Sequence, residues 1–169
     1  IWFFMILLAG MRFWHFFALA ILGFVSSILS WFFFLAEYQK ARILAFLDPS
    51  FDPLGQGYNV TQAIIAIGAG GWFGRGLGFG SQSQLKFLPE SQTDFIFAVI
   101  AEELGFVGVL FIVTAFFTIF YRLYMLSKQS NDDFTIMLLY GVGITVFLQF
   151  FVNVGMNLGL FPVTGIGLP

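Results

Sequence analysis

The sequence predicts an all-α polytopic membrane protein, and three observations support this fold class. First, 59% of the 169 residues are hydrophobic, 21% are aromatic and only 9% are charged, whereas soluble domains average about 45–50% apolar and about 25% charged residues. Second, apolar runs of about twenty residues recur, which is the length that crosses a bilayer as a helix. Third, no long stretch returns to an ordinary charge density, so we expect no separate soluble domain.

The composition also excludes other classes of protein. The net charge of −2 argues against nucleic-acid binding, which needs a basic face. The absence of cysteine excludes disulfides and thiolate metal sites. The chain begins inside an apolar run without an initiator Met or a basic segment, so we interpret its start as a cut end and not as a signal peptide.

The first half of the chain is predicted to contain two membrane segments and a long loop. Residues 1–9 are expected to be the end of a span, and residues 16–35 a complete span. A helical pattern continues into the loop 36–93 and should end before Pro49, because a residue that precedes proline is kept out of the α region. Residues 58–70 are apolar but too short to cross, which predicts a re-entrant or interfacial helix.

The second half is predicted to contain two further spans, residues 95–121 and 134–158, and residues 159–169 would begin the next loop. Basic residues in short loops mark the cytoplasmic side. The short connections 10–15 and 122–133 carry three of them. We therefore expect the long loop and residues 159–169 to be extracytoplasmic.

A cluster of glycines lies between residues 68 and 80. No register of this cluster matches G-x-G-x-x-G, and no glycine is followed by Lys and then Ser or Thr, so the nucleotide-binding motifs are absent. Close backbone packing and tight turns are the favoured interpretation, and an anion-binding nest is the alternative.

Three carboxylates mark the boundary between loop and span. Asp94 lies where the polar loop becomes an apolar helix, and Glu102 and Glu103 lie further inside; ionisable groups in such places are candidates for function. The pattern Ser91-x-x-Asp94 also fits a capping box, in which Asp94 would face the helix dipole without a catalytic role. Glu102, rotated by about 80° from Asp94, is the better candidate for the same side. Its alternative role is that of a buried partner for a group on another helix.

Two further sets of polar residues accompany these carboxylates. Arg75 and Lys86 lie in the same loop as Asp94, either as part of the site or as solvated loop charges. A stripe with one polar or small residue every four positions follows on the last span and stays on one face of the helix. Interhelical hydrogen bonds or the lining of a polar cavity would explain it. Its members are Gly141, Thr145, Gln149, Asn153 and Asn157.

The motif TDFIFAVIAEELG, preceded by QSQLKFLPE, resembles the SEDS family of bacterial cell-wall polymerases, the family of RodA and FtsW. FLDPSFDPLGQGYNVTQAIIAIGAGGWFGRGLG resembles the extracytoplasmic loop of this family. FVNVGMNLGLFPVTGIGLP resembles its penultimate helix and the loop that follows. The resemblance covers residues 38–169. Two segments are closer to the sequences of RodA proteins than to those of FtsW proteins: GSQSQLKFLPE and DPLGQGYNVTQ. They favour the elongation branch over the division branch of FtsW.

This resemblance implies a fold of about ten helices in the bacterial plasma membrane and the polymerisation of lipid II into glycan strands during cell elongation. It implies that Asp94 is the catalytic residue, because the aspartate of TDFIFA is essential in the family. Arg75, Lys86 and Glu102 become candidates for binding the undecaprenyl pyrophosphate, and a divalent cation is a further candidate. A class B penicillin-binding protein is the implied protein partner, beside the membrane lipid.

The resemblance also predicts that the chain is a fragment from the C-terminal half of a SEDS protein, because the N-terminal helices of the family and its P-x-[IV]-S-Y-G-G motif are absent. Such a fragment is expected to lack a complete active site. Two alternatives remain open. A lipid II transporter would use Glu102, Gln149, Asn153 and Asn157 as a polar path, and a scaffold would only bind a penicillin-binding protein.

Overall fold

The structure, a computed structural model, describes residues 13–48, 55–85, 87–88 and 92–169, together with residues 3, 5, 6 and 10. All regular secondary structure within these residues is helical. Three of the helices are long and apolar enough to cross a membrane. The predicted all-α membrane fold is therefore confirmed.

Six helices are described. In chain order they are α1 (Phe13–Phe33), α2 (Glu37–Leu47), α3 (Gln56–Gly70), α4 (Ser81–Gln84), α5 (Ile96–Gln129) and α6 (Asp133–Asn157). The candidate spans are α1, α5 and α6. Helices α2, α3 and α4 belong to the long loop between α1 and α5, so this loop is itself largely helical.

The helical pattern that leaves the first span is interrupted before it continues. The main-chain N–H groups of Phe34 and Leu35 both donate to the carbonyl of Ser30, and α2 starts anew after Ala36. The end of α2 at Leu47 agrees with the stop that was expected before Pro49.

Helix α5 is longer than its apolar pattern predicts. It continues to Gln129, whereas the sequence predicted a span that ends at residue 121 and a polar connection over residues 122–133. Residues after 121 include Arg, Leu, Met, Lys and Gln, which are strong helix formers. The charged side chains therefore end the apolar stretch without ending the helix, and the connection shrinks to residues 130–132.

The core lies where α3 crosses the beginning of α5. Five buried residues form it: Ala63, Ala66, Leu88, Phe95 and Ala98. At the end of α3, a Cβ atom on Gly70 would lie 1.8 Å from the carbonyl oxygen of Ala101. Since no side chain fits in that space, alanine and glycine let the two backbones touch.

Helix α5 is kinked at Gly105, whose φ of 65° and ψ of −161° are not helical. The loop that follows α3 packs into this kink. Its N–H groups at Arg75 and Gly76 donate to the carbonyls of Glu102 and Glu103, respectively, and both N···O distances are 3.0 Å. In return, Phe106 and Val107 donate to the carbonyls of residues 71 and 72. The glycine cluster thus serves close backbone packing, the interpretation favoured from the sequence.

Candidate functional site

Asp94 lies in a turn directly before α5, and its side chain is half-buried. The helix begins at Ile96, and Phe95 occupies the N-cap position without a side-chain hydrogen bond. Asp94 is therefore not in the first turn of the helix, as the capping box required. The capping interpretation is wrong in its register, because it would need a helix that starts several residues earlier.

Two asparagine side chains of α6 hold the main chain of this turn. The side-chain amide nitrogens of Asn153 and Asn157 each donate to the carbonyl oxygen of Asp94, and both distances are 3.0 Å. The Oδ1 atom of Asn157 accepts from the N–H of Ala98 at 3.1 Å. Both asparagines are fully buried. A cap missing from the local sequence is thus supplied by another helix.

The segment after α6 forms one wall beside Asp94. The carbonyl of Ile166 accepts from the amide nitrogen of Asn153 at 2.8 Å. At Gly165, which has a φ of +71°, an added Cβ atom would lie 3.7 Å from the Oδ2 atom of Asp94. The backbone of this segment therefore runs directly beside the carboxylate, and α6 fixes its position.

A second polar cluster surrounds Glu102 further along α5. Glu102 is fully buried and accepts a hydrogen bond from the N–H of Gln82 at 2.9 Å and one from the Ser81 hydroxyl at 3.3 Å. The guanidinium of Arg75 contacts the same hydroxyl at 3.5 Å and the carbonyl of Ala69 at 3.3 Å. The carboxylate of Glu102 therefore holds the start of α4 against α5.

The residues proposed from the sequence thus fall into two groups. Asn153 and Asn157 reach Asp94, whereas Arg75 and Glu102 meet each other through Ser81. The Glu102 cluster lies about 9 Å along the helix axis from the first residue of α5, at 1.5 Å per residue. The pyrophosphate-binding candidates Arg75 and Glu102 are therefore not adjacent to the candidate base.

The remaining candidates have a simpler outcome. Lys86 lies outside the described residues. Gln149 is half-buried one turn before Asn153, and no hydrogen bond of its side chain is found within the described part of the chain. Among the residues that the structure describes, no group of three or more His, Cys, Asp or Glu side chains could hold a metal ion.

Sequence reasoning missed several partners in both clusters. The main-chain groups of Ala98, Gln82 and Ile166 carry the key hydrogen bonds, and main-chain partners leave no signature in residue types. The four-residue repeat of amides on α6 was the one usable signal, but a repeat does not show which groups the amides meet.

Comparisons with known proteins show the family of this chain. A family model described as "Cell cycle protein", which groups FtsW, RodA and SpoVE, matches residues 1–169. The chain belongs to this family. The resemblance seen in the sequence motifs is therefore confirmed.

Similar proteins carry names from both branches of the family. A probable peptidoglycan glycosyltransferase FtsW of Nitrosococcus halophilus is 44% identical over 98% of this chain and 43% of its own length. A peptidoglycan glycosyltransferase MrdB of Escherichia coli K12 is 41% identical over 98% of this chain and 45% of its own length. The chain thus spans less than half the length of these relatives. Because both branches are represented, the assignment to the elongation branch stays a prediction.

The fold is also that of a solved chain from a structure described as "Structural coordination of polymerization and crosslinking by a peptidoglycan synthase complex". The two chains superpose with a TM-score of 0.76 at 31% sequence identity, over 98% of this chain and 44% of the solved one. The helical arrangement of this chain therefore has a counterpart within a longer solved chain.

Proposed function

We propose that the protein containing this chain is a peptidoglycan glycosyltransferase of the bacterial plasma membrane, which polymerises lipid II into glycan strands. Two relatives from different organisms carry the name of this activity. The structural observation that carries the proposal is the fixed turn at Asp94. Its main-chain carbonyl is held by two buried amides, so the side chain leaves the backbone from a defined position.

The proposed chemistry joins a sugar hydroxyl to an anomeric carbon that carries undecaprenyl pyrophosphate. As the hydroxyl oxygen forms the new glycosidic bond, its proton passes to the Asp94 carboxylate, and the bond to the pyrophosphate breaks. A carboxylate in reach of the acceptor acts here as a general base. The half-buried position of Asp94 at the mouth of α5 suits this role, because one side can meet a lipid-linked substrate.

The leaving pyrophosphate needs positive charge or hydrogen-bond donors as it departs. Arg75 is exposed and remains a proposed contact for it, together with Lys86 or a divalent cation. Glu102 fits this role poorly, because a buried carboxylate that already accepts hydrogen bonds would repel an anion. We propose that Glu102 instead supports the loop that carries Arg75.

The two rival functions find less support in the contacts. A transport path would need polar groups that are open to a cavity, but Glu102, Asn153 and Asn157 are fully buried and hydrogen-bonded. A pure scaffold would need no fixed carboxylate at the membrane boundary. We propose that a class B penicillin-binding protein is a partner of the polymerase. Binding this partner is not the only function of the chain.

The orientation is part of the proposal, since lipid II is polymerised outside the plasma membrane. Exposed Gln84 and Asn131 lie in the loops on either side of α5. In intact cells, an impermeant thiol reagent should label a Gln84→Cys protein but not an Asn131→Cys protein. Labelling of both variants from outside would contradict the proposed topology.

The decisive test of function is Asp94→Asn in the full-length protein, assayed by glycan-chain formation from purified lipid II. The amide keeps the size of the side chain but cannot accept the proton. We expect polymerisation to slow by about 10²–10⁴-fold, with an unchanged melting temperature. A well-folded Asp94→Asn protein that polymerises at the wild-type rate would contradict the general-base role and favour transport or scaffolding.

A further inference from the structure

The side-chain amide of Asn157 lies between two main-chain groups that a regular helix would join. In an α-helix, the N–H of residue 98 donates to the carbonyl of residue 94. Here the N–H of Ala98 donates to Oδ1 of Asn157 at 3.1 Å, and the carbonyl of Asp94 accepts from Nδ2 of Asn157 at 3.0 Å. One planar amide thus satisfies both groups and holds them apart.

Asn153 reinforces this arrangement. Its amide nitrogen donates to the carbonyl of Asp94 at 3.0 Å and to that of Ile166 at 2.8 Å. Its main-chain carbonyl accepts from Nδ2 of Asn157 at 2.8 Å. The two asparagines, both fully buried, therefore tie the Asp94 turn, the end of α6 and the segment after it into one hydrogen-bonded unit.

The physical consequence concerns the direction of the Asp94 side chain. Phe95 offers no side-chain acceptor for the first N–H groups of α5. Without the amide of Asn157, Ala98 could bond directly to the carbonyl of Asp94, and the helix would wind back through residue 94. Each added helical residue turns the chain by about 100°, so the carboxylate would leave its place beside Gly165.

We infer that Asn157, assisted by Asn153, is a positioning residue that keeps α5 from incorporating Asp94 and thereby aims its carboxylate at the reacting hydroxyl. This inference rests on the proposed role of Asp94 as general base. The asparagines contact no substrate themselves in this scheme. Their effect passes entirely through the main chain of the turn.

The test uses the full-length protein with Asn157→Leu and Asn157→Asp. The leucine variant removes both halves of the amide, and it should still fold because Ala98 and Asp94 can then satisfy each other. Its kcat for lipid II polymerisation should fall about 10²-fold, the loss that a displacement near 1 Å can cause, while KM stays unchanged. Thr145→Val, more than three turns before Asn157 on α6, is the control, since the Thr145 hydroxyl donates to the carbonyl of Gly141 in its own helix at 2.8 Å.

Asn157→Asp tests the same inference if the leucine variant does not fold. It keeps an acceptor for the N–H of Ala98 but turns a donor facing the Asp94 carbonyl into a second acceptor. The Asp94 carbonyl then loses this donor and the turn is no longer fixed, so we expect kcat to fall at least about tenfold, again with KM unchanged. A folded aspartate variant with the wild-type kcat would overturn the inference.

Asp94→Asn, measured in parallel, separates the two proposals. If Asp94→Asn is inactive and a folded Asn157→Leu protein keeps the wild-type kcat, the positioning role is wrong and the proposed function stands. If Asp94→Asn polymerises at the wild-type rate, the general-base role fails, and the positioning inference fails with it. Loss of kcat in both variants, with Thr145→Val active, supports both.

Discussion

The two parts of α5 differ sharply in their surroundings. From Phe97 to Gly108, six residues are buried, and main-chain groups of the loop after α3 pair with the helix at its kink. Beyond Gly108, only Ser127 is buried, and large apolar side chains such as Phe111 and Phe117 are exposed. The first part is a protein interior, whereas the second presents an apolar surface such as lipid solvates.

This difference shows where the fold is specific. Lipid tails are as apolar as leucine, so an exposed apolar face needs only composition and not an exact partner. The packing of the first part depends on glycine, alanine and buried hydrogen bonds. At its tightly packed glycines, an added Cβ atom would clash with main-chain atoms. Both polar clusters lie at this end, so the rigid part of α5 is also the part that carries the candidate chemistry.

The largest effect on thermal stability should come from Gly105→Ala, which changes the backbone at the kink in the first part of α5. The backbone conformation at Gly105 is essentially restricted to glycine and costs other residues about 1–3 kcal/mol. A Cβ atom there would also lie 2.3 Å from the main-chain nitrogen of Gly74, which adds to this cost. We expect a marked fall in the melting temperature of the full-length protein in detergent, or loss of folded protein.

Gly23→Ala is the matched control, because Gly23 is helical and a Cβ atom there meets nothing within 4 Å. This substitution should leave the melting temperature unchanged or raise it slightly. Equal melting temperatures for Gly105→Ala and the wild type would mean that the loop does not pack into the kink, and the contrast within α5 would disappear.

A smaller effect is expected from Glu102→Leu, which leaves the N–H of Gln82 and the Ser81 hydroxyl without their acceptor. An unsatisfied buried group costs about 1–3 kcal/mol, so thermal stability should fall. Glu103→Leu, at a half-buried position, should cost less. If Glu102→Leu kept its stability and lost polymerisation, the substrate-binding role predicted from the sequence would replace the supporting role.

The smallest effect should come from the opposite end of the molecule, at the cap of α6. Asp132 accepts hydrogen bonds from the N–H of Thr135 at 3.0 Å and from its hydroxyl at 2.6 Å. The side-chain hydrogen bond from Thr135, followed by the one from its main chain, holds the pKa of Asp132 below its ordinary value of 3.8. Asp132→Ala should therefore lower the melting temperature slightly at neutral pH.

The sign of the pH dependence follows from this depressed pKa. The stabilisation by Asp132 is present above pH 3.8 and is lost as the pH falls through the lower pKa of the folded state. The melting temperatures of the wild type and Asp132→Ala should thus converge in acid. Asn131→Ala, in the same exposed turn, is the control, and a difference between the wild type and Asp132→Ala that persists in acid would argue against the cap.

Much of the fold was predictable because it depends on composition along the chain. Hydropathy alone predicted apolar segments close to the helices α1, α5 and α6, and a short apolar run marked α3. The length of α5 was not predictable from hydropathy, since a helix can outlast its apolar stretch. The continuous pattern into α2 failed at Ala36, because periodicity does not report a local break in hydrogen bonding.

The sequence by itself determined that Asp94 stands at the mouth of an apolar helix, that glycines gather near residue 74, and that amides repeat every four residues on α6. These are properties of one segment at a time. Only the tertiary structure decided that Asn157 inserts between Ala98 and Asp94, and that Glu102 supports α4. Ala98 and Asn157 are 59 residues apart, and a four-residue repeat fixes which way a side chain faces but not what it meets. The local capping pattern failed for the same reason: a buried acceptor from another helix satisfied the first turn of α5 instead.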